Sequence, residues 1–154
     1  MIDLIPAYGD KDLFLRMAKD YVETLAQYDP AIKWDEAAWM DAMWHCDLIV
    51  EDRTIQGFAL VETRFFNVFP AALYIGEFYV VPEARKRGIG KETVKRITAG
   101  WNGDIYLYIL HGNFVGRAFW LDIEHEYGWR RIQRPEIPEE ENCELRVYQT
   151  TGEI

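Results

Sequence analysis

The sequence is poor in the residues and segments that mark several common classes of protein. It has three His and two Cys among 154 residues, and neither type recurs at the spacing of a metal site. No apolar run approaches the roughly 20 residues of a membrane helix, and the N-terminus lacks the basic and apolar regions of a signal peptide. We therefore expect a cytoplasmic protein that binds neither metal nor membrane, with Cys46 and Cys143 as partly buried thiols.

Basic residues are also in deficit. Lys and Arg number 17 against 26 Asp and Glu, which gives a net charge of -9. A nucleic-acid binder needs a broad basic face, so we expect no nucleic acid as a partner. The deficit is uneven, because residues 1–76 hold 6 basic and 13 acidic residues while residues 77–154 hold 11 and 13. The second half is therefore where a small anion would bind.

Apolar and aromatic residues are plentiful, at 49% and 15% of the chain. A chain of this length and composition can form one well-packed domain, and we predict a single domain over residues 1–154. Helical and strand periodicities alternate in the order β-α-α-β-β-β-α-β-α-β-β, which is typical of an α/β fold around a mixed sheet.

The periodicity also gives approximate boundaries. Helices are expected over residues 11–28, 35–46, 88–99 and 113–127, and Asp10 is expected to cap the first of them. Trp39, Met43 and Trp44 of the second helix are expected to face the core. Strands are expected over residues 1–7, 47–52, 57–66, 72–81, 105–110 and 143–149, with a turn over 52–57. The strand at 105–110 is apolar on both faces and so should be central.

One segment concentrates the basic residues of the second half. Residues 79–97 read YVVPEARKRGIGKETVKRI, a strand followed by a glycine-bearing loop that opens a helix. Such a junction brings backbone N–H groups and the positive end of the helix dipole to one point, where phosphate binds well. Gly88 and Gly90 allow an anion to approach the main chain. The basic side chains of the loop are Arg85, Lys86, Arg87 and Lys91, and we interpret the loop as a pyrophosphate site.

Two other glycine motifs are excluded by spacing. A P-loop requires G-x-x-x-x-G-K-[ST], but Arg85 stands five residues before Gly90 and Glu92 follows Lys91. The dinucleotide motif G-x-G-x-x-G would need a glycine where Thr93 stands. Neither a nucleoside triphosphatase nor a dinucleotide enzyme is therefore expected.

The remaining pattern, R-x-x-G-x-G preceded by FYVVPEA, resembles the acetyl-CoA site of the GNAT superfamily of N-acyltransferases. The resemblance implies a mixed central sheet of about six or seven strands flanked by about four helices. It implies that the strand backbone of Phe78, Tyr79 and Val80 holds the pantetheine of acetyl-CoA, the co-substrate. Cofactor binding would continue through the loop residues Arg85, Lys86, Arg87, Gly88, Ile89, Gly90 and Lys91.

A second segment, LYILHGNFVGRAFW, adds to this resemblance. Asn113 and Gly116 match the asparagine and small residue of many family members, whereas Trp120 stands where a tyrosine is usual. By the resemblance, Asn113 and Trp120 also contact the cofactor. The helix continues to Gly128 and Trp129, about one turn beyond the usual length.

The resemblance implies transfer of an acetyl group to a primary amine, which needs a base and an acid. Glu77 is the candidate base or amine-positioning residue, although an ordinary half-exposed strand glutamate is an open alternative and Glu62 is a weaker candidate. Tyr127 is the candidate acid, with a core or rim tyrosine as its alternative. His111 and His125 are expected at the surface or at strand ends.

The identity of the acceptor stays open at this level. The acidic, aromatic first half would suit a cationic amine, and a homodimer is also left open. The rival interpretation is a non-catalytic acyl-CoA-binding or protein-interaction module with the same fold, which Trp120 in place of tyrosine keeps in view.

Overall fold

The computed structural model describes residues 1–66 and 71–150. In that part of the chain the elements follow the predicted order. They are β1 (Ile2–Pro6), α1 (Lys11–Ala26), α2 (Glu36–Ala42), β2 (Cys46–Glu51), β3 (Thr54–Arg64), β4 (Ala72–Val80), α3 (Ile89–Thr98), β5 (Asp104–Leu110), α4 (Phe114–Tyr127), β6 (Arg130–Ile132) and β7 (Cys143–Gln149). The predicted mixed sheet flanked by four helices is confirmed.

Within residues 1–66 and 71–150 the sheet has seven strands, in the order β1-β2-β3-β4-β5-β7-β6. The pairs β1/β2, β2/β3, β5/β7 and β6/β7 are antiparallel. The pair β4/β5 is parallel, with Leu73 opposite Ile105 and Tyr74 opposite Tyr106. Since β5 has β4 on one side and β7 on the other, the prediction of a central strand at 105–110 is confirmed.

The chain forms two compact units, the first of which comprises Met1–Val61 and Gly76–Ile97. Its first helix begins as predicted, because the Asp10 carboxylate accepts a hydrogen bond from the Leu13 N–H at 3.3 Å. A set of aromatic rings fills much of this unit, with neighbouring centroids 5.2 to 6.4 Å apart. The set consists of Phe14, Tyr21, Trp34, Trp39, Phe58 and Tyr79.

Two predictions about this unit are wrong. Helix α2 ends at Ala42, and a 3₁₀ turn over Met43–His45 leads into β2, so the chain turns before Trp44 can face inward. Met43 is buried as expected, but Trp44 is 65% exposed. The predicted turn over 52–57 is also too long, because it is confined to Asp52 and Arg53, which have φ of 47° and 70°. Consecutive positive φ values match the twist of a two-residue hairpin, so β3 already begins at Thr54.

The second unit comprises Glu62–Ile75 and Thr98–Ile154. The inner side of α4 buries Trp120, Ile123 and Glu124. Glu124 is 8% exposed, and it accepts hydrogen bonds from Arg131 at 2.6 and 3.2 Å and from Arg146 at 3.5 Å. A buried carboxylate is tolerable only with such partners. In the described part of the chain neither cysteine forms a disulfide. Cys143 is half-buried as expected, whereas Cys46 is fully buried.

Replacing Glu124 by glutamine should lower the free energy of unfolding by about 2 kcal/mol at neutral pH, the scale of a hydrogen bond to a charged group. Burial alone would raise the pKa of Glu124, but the Arg131 hydrogen bonds and the charges of Arg131 and Arg146 lower it overall. A lowered carboxyl pKa contributes stability that is present above the unfolded-state pKa and is lost as pH falls through the folded-state pKa. The deficit of the variant should therefore shrink on acidification.

Thermal unfolding of both proteins across the acidic range measures this deficit. Glu126→Gln, at an exposed position of the same helix, is the control and should cost under about 0.5 kcal/mol. A deficit that stays constant down to strongly acidic pH would contradict the assigned role of the Glu124 charge.

Candidate functional site

The loop between β4 and α3 has the backbone geometry of an anion site. After β4 a 3₁₀ turn spans Pro82–Ala84, and the chain then passes through positive φ at Lys86 (66°) and Gly88 (81°). The first helical hydrogen bond runs from the Glu92 N–H to the Gly88 carbonyl at 3.0 Å. The N–H groups of a first helical turn have no partner within the helix, so this junction offers backbone donors to a ligand at the positive end of α3.

The three basic side chains before Gly88 are exposed, but they are held differently. The Arg85 Nε donates a hydrogen bond to the Val80 carbonyl at 2.8 Å, and its guanidinium carbon lies 5.6 Å from the centroid of the Tyr79 ring. The Arg87 guanidinium lies 3.5 Å from the Glu51 carboxylate. Arg85 therefore ties the loop to the end of β4, Arg87 is paired with Glu51, and Lys86 is exposed.

A cavity of about 150 Å³ lies beside this loop, bordered by Arg87, Gly88 and Ile89. Its other lining residues are Met1, Ile2, Glu51 and Glu92. The carboxylates of Glu51 and Glu92 in its wall repel an anion, and the guanidinium of Arg87 offsets part of their charge.

Strand β4 is held against β3 at a glycine that sequence reasoning missed. A Cβ added to Gly57 would lie 1.9 Å from the Tyr79 carbonyl oxygen, so only glycine fits here. One residue away, the Val81 N–H donates to the Gln56 carbonyl at 2.8 Å. A glycine inside the strand-like run TIQGFALVE is a signal for such a close backbone approach.

Glu77 is half-buried on β4, which is compatible both with a base and with an ordinary strand glutamate. Strand alternation places it on the same face as Tyr79, which is 6% exposed and packs against Phe58 and Tyr21 with centroids 5.6 and 5.9 Å away. Glu77 therefore lies two positions before a strand residue of the aromatic set.

Asn113 begins α4 and accepts a hydrogen bond from the Gly116 N–H at 2.9 Å. A Cβ on Gly116 would lie 2.6 Å from the Asn113 side-chain nitrogen, so the small residue is needed for the cap. Trp120 is 7% exposed, and its ring centroid is 5.0 Å from that of Phe119.

The far end of α4 carries Tyr127, its last residue, and Gly128 follows with φ of 66°. The predicted extra turn of this helix is therefore present. Tyr127 is half-buried, with its ring centroid 6.2 Å from that of Trp129. It lies seven positions after Trp120 in the helix, about 10 Å further along the axis, so its hydroxyl does not simply take the place of the tyrosine that is usual at position 120.

The predicted site residues divide between the two units. The first contains Glu77 and the loop through Lys91, and the second contains Glu62, Asn113, Trp120 and Tyr127. His111 and His125 are exposed, as expected. Within residues 1–66 and 71–150, no three His, Cys, Asp or Glu side chains are grouped as a metal site. None of the helices in these ranges combines the length and the apolar character that crossing a bilayer requires.

The fold is similar to that of several solved acetyltransferases. An acetyltransferase of the GNAT family from Bacillus cereus shares 16% identity over 98% of this chain and 97% of its own, with a TM-score of 0.63. Diaminobutyrate acetyltransferase from Paenibacillus lautus, solved with its substrate and coenzyme A, shares 14% identity over 97% and 93%, with a TM-score of 0.62.

N-acetylglutamate synthase from Neisseria gonorrhoeae, solved with coenzyme A and N-acetylglutamate, shares 13% identity over 97% of this chain, with a TM-score of 0.66. This chain covers 35% of that synthase. No curated protein matches the sequence. The sequence does match the acetyltransferase (GNAT) family over residues 13–123, a stretch that includes the β4-α3 loop and most of α4. The chain therefore belongs to the GNAT family of acetyltransferases.

Proposed function

We propose that the protein is an N-acetyltransferase that takes the acetyl group from acetyl-CoA and transfers it to a primary amine. The observation that carries this proposal is the β4-α3 loop, where the exposed basic residues Lys86 and Arg87 directly precede the first turn of α3, with Arg87 3.5 Å from Glu51. Backbone donors with adjacent positive charge suit a pyrophosphate. Bound acetyl-CoA would supply the acetyl group as a thioester. The coenzyme A in the Neisseria and Paenibacillus structures supports this choice of co-substrate.

The cofactor residues are assigned on this basis. The backbone of Phe78, Tyr79 and Val80 would hold the pantetheine, and residues 86–91 the pyrophosphate. Arg85 serves the same site by fixing the loop, since its Nε is bonded to the Val80 carbonyl. Asn113 and Trp120 of α4 are proposed as further cofactor contacts.

The reaction requires few catalytic side chains. The amine must lose a proton, its nitrogen must attack the thioester carbonyl carbon, and the departing thiolate must gain a proton. We assign the first task to Glu77, as base or as the residue that positions the amine. Tyr127 is proposed as the proton donor, with solvent as the competing donor.

The acceptor is proposed to be positively charged before it reacts. Residues 1–76 hold 13 acidic and 6 basic residues, and such an excess of negative charge attracts cations. We also propose that the protein works in the cytoplasm.

Acetyl-CoA should raise the melting temperature, because a ligand that binds only the folded state stabilises it. At about a hundred times the dissociation constant the gain is about 2.7 kcal/mol. Gly90→Glu should abolish the shift by adding bulk and negative charge beside the phosphates. Gly9→Glu is the matched control, since a side chain at Gly9 meets no atom within 4 Å, and it should keep the shift.

Release of free CoA with a panel of amines then separates the enzyme from a non-catalytic acyl-CoA-binding module. The module would hydrolyse acetyl-CoA slowly and equally with every amine. An unchanged melting temperature at millimolar acetyl-CoA would rule out both functions.

A further inference from the structure

The second unit carries a partly buried group of aromatic rings that the proposed chemistry does not use. Tyr74 of β4 and Tyr106 of β5 stand opposite each other in the parallel register, and their rings stack with centroids 4.8 Å apart. Tyr108 follows on the same side of β5, with its ring 6.1 Å from that of Tyr106. We call these three residues the tyrosine face. Tyr74 and Tyr108 are half-buried, whereas Tyr106 is 2% exposed.

A cation already lies on this face. The Arg64 guanidinium carbon is 4.0 Å from the centroid of the Tyr74 ring, a favourable cation–π distance. Its Nη1 donates to the Tyr106 hydroxyl at 3.3 Å and its Nη2 lies 3.4 Å from the Glu62 carboxylate. The tyrosine face therefore already binds one positively charged group.

The contacts that hold Arg64 there are weak. Both polar distances exceed those of good hydrogen bonds, and the arginine and glutamate side chains are 44% and 30% exposed. An ion pair of this exposure contributes little. A second cation that takes over the cation–π contact with Tyr74 would displace the guanidinium at the cost of these two polar contacts.

The surroundings of the tyrosine face favour such a cation. The Tyr108 hydroxyl donates to the Pro138 carbonyl at 2.6 Å, which ties the acidic segment that contains Glu139 and Glu140 to the face. The pKa of Tyr108 is raised to about 12. Burial is the main cause, and the negative charge of Glu140 is the next. The carboxylates of Glu62, Glu139 and Glu140 outnumber the guanidinium of Arg64, so the local charge is negative.

We propose that the tyrosine face is a binding site for an aliphatic ammonium group, and that Arg64 competes with this group for the Tyr74 ring. The inference rests on the proposed function in one respect, since the ammonium group is taken to belong to the amine acceptor. Arg64 thus lowers the affinity of the face for amines and is a specificity-determining residue.

Calorimetric titration of the full-length protein with the diamine putrescine, without acetyl-CoA, tests the proposal. Arg64→Met keeps the apolar stem and removes the guanidinium, and it should tighten putrescine binding about threefold to tenfold. Tyr74→Leu should weaken binding by a similar factor because it keeps apolar bulk but removes the ring. Tyr74→Phe retains the ring and should bind like the unmodified protein, which separates loss of the ring from a folding defect.

Two controls make the result specific. Butanediol, a neutral analogue of putrescine, should not respond to Arg64→Met. Glu136→Gln removes an exposed carboxylate of the same segment that acts on Arg134, and it should change affinity less than Glu140→Gln does.

Weaker binding in Arg64→Met would overturn the proposal, because Arg64 would then be holding an anionic group of the ligand. Equal binding in all variants would overturn it as well.

Failure of this inference is distinguishable from failure of the proposed function. If acetyl transfer occurs but the KM for amines does not respond to Arg64→Met, only the role of the tyrosine face is wrong. If putrescine binding responds as expected but no amine is acetylated, the face binds ammonium groups and the proposed function is wrong.

Discussion

Gly57→Ala should be among the most damaging single substitutions in the protein, lowering the free energy of unfolding by about 3 kcal/mol. The added methyl carbon would lie 1.9 Å from the Tyr79 carbonyl oxygen and 2.9 Å from its carbon. These are backbone atoms, so no side-chain rotation can relieve the clash, and β3 and β4 must move apart. For a protein of this size the loss corresponds to a fall in melting temperature of about 6 to 12 °C.

Chemical denaturation with matched controls checks this expectation. Gly9→Ala introduces the same methyl group where nothing lies within 4 Å, and it should change stability by less than about 0.5 kcal/mol. The surviving folded fraction of Gly57→Ala should also respond less to acetyl-CoA, because the displaced residues are the proposed pantetheine strand. A variant as stable as the Gly9 control would mean that β3 and β4 do not approach each other as closely as described.

Glu77→Gln should lower saturated turnover roughly a hundredfold or more while leaving acetyl-CoA binding unchanged. General-base contributions have this size, and an amide cannot accept the amine proton. Binding is followed by the melting shift with acetyl-CoA, and turnover by CoA release at saturating amine. Glu83→Gln, at an exposed position of the same unit, is the control and should keep turnover. If Glu77 only positions a cationic acceptor, the loss should appear in KM with kcat retained.

Tyr127→Phe separates the two sources of the second proton. A tenfold or larger loss of turnover, on the scale of a general acid, would assign the proton to the phenol, and Trp120→Tyr should then partly restore it. Normal turnover in both Tyr127→Phe and Glu77→Gln would leave solvent as the proton carrier and both catalytic assignments wrong.

The parts of the fold that could be predicted are those that depend on local patterns in the sequence. The cap at Asp10, the central strand at 105–110 and the glycine loop before α3 each depend on residues near one another in sequence. The loop could be interpreted chemically because its donors belong to one strand-to-helix junction. Exposure of Trp44 was not predictable in this way, since it depends on α2 ending at Ala42.

Contacts between residues that are far apart in sequence could not be predicted, for the same reason. The contact of Gly57 with Tyr79 joins residues on different strands, and only a glycine in a strand-like run hinted at it. Tyr74 and Tyr106 meet because the parallel register sets them opposite each other, which periodicity cannot give. The hydrogen bond from Arg85 to the Val80 carbonyl could not be predicted from the sequence either. A basic residue in a glycine loop is first interpreted as a ligand contact.

That hydrogen bond bears on the entropy of cofactor binding. A flexible loop must lose conformational freedom when it closes on a ligand, and that loss subtracts from affinity. Here the Arg85 Nε holds the Val80 carbonyl at 2.8 Å, and Lys86 is already in a left-handed conformation with φ of 66°. Folding of the chain has thus already ordered the loop before any ligand binds. The proposed contacts between the loop and the phosphates would then contribute to affinity with little loss to ordering.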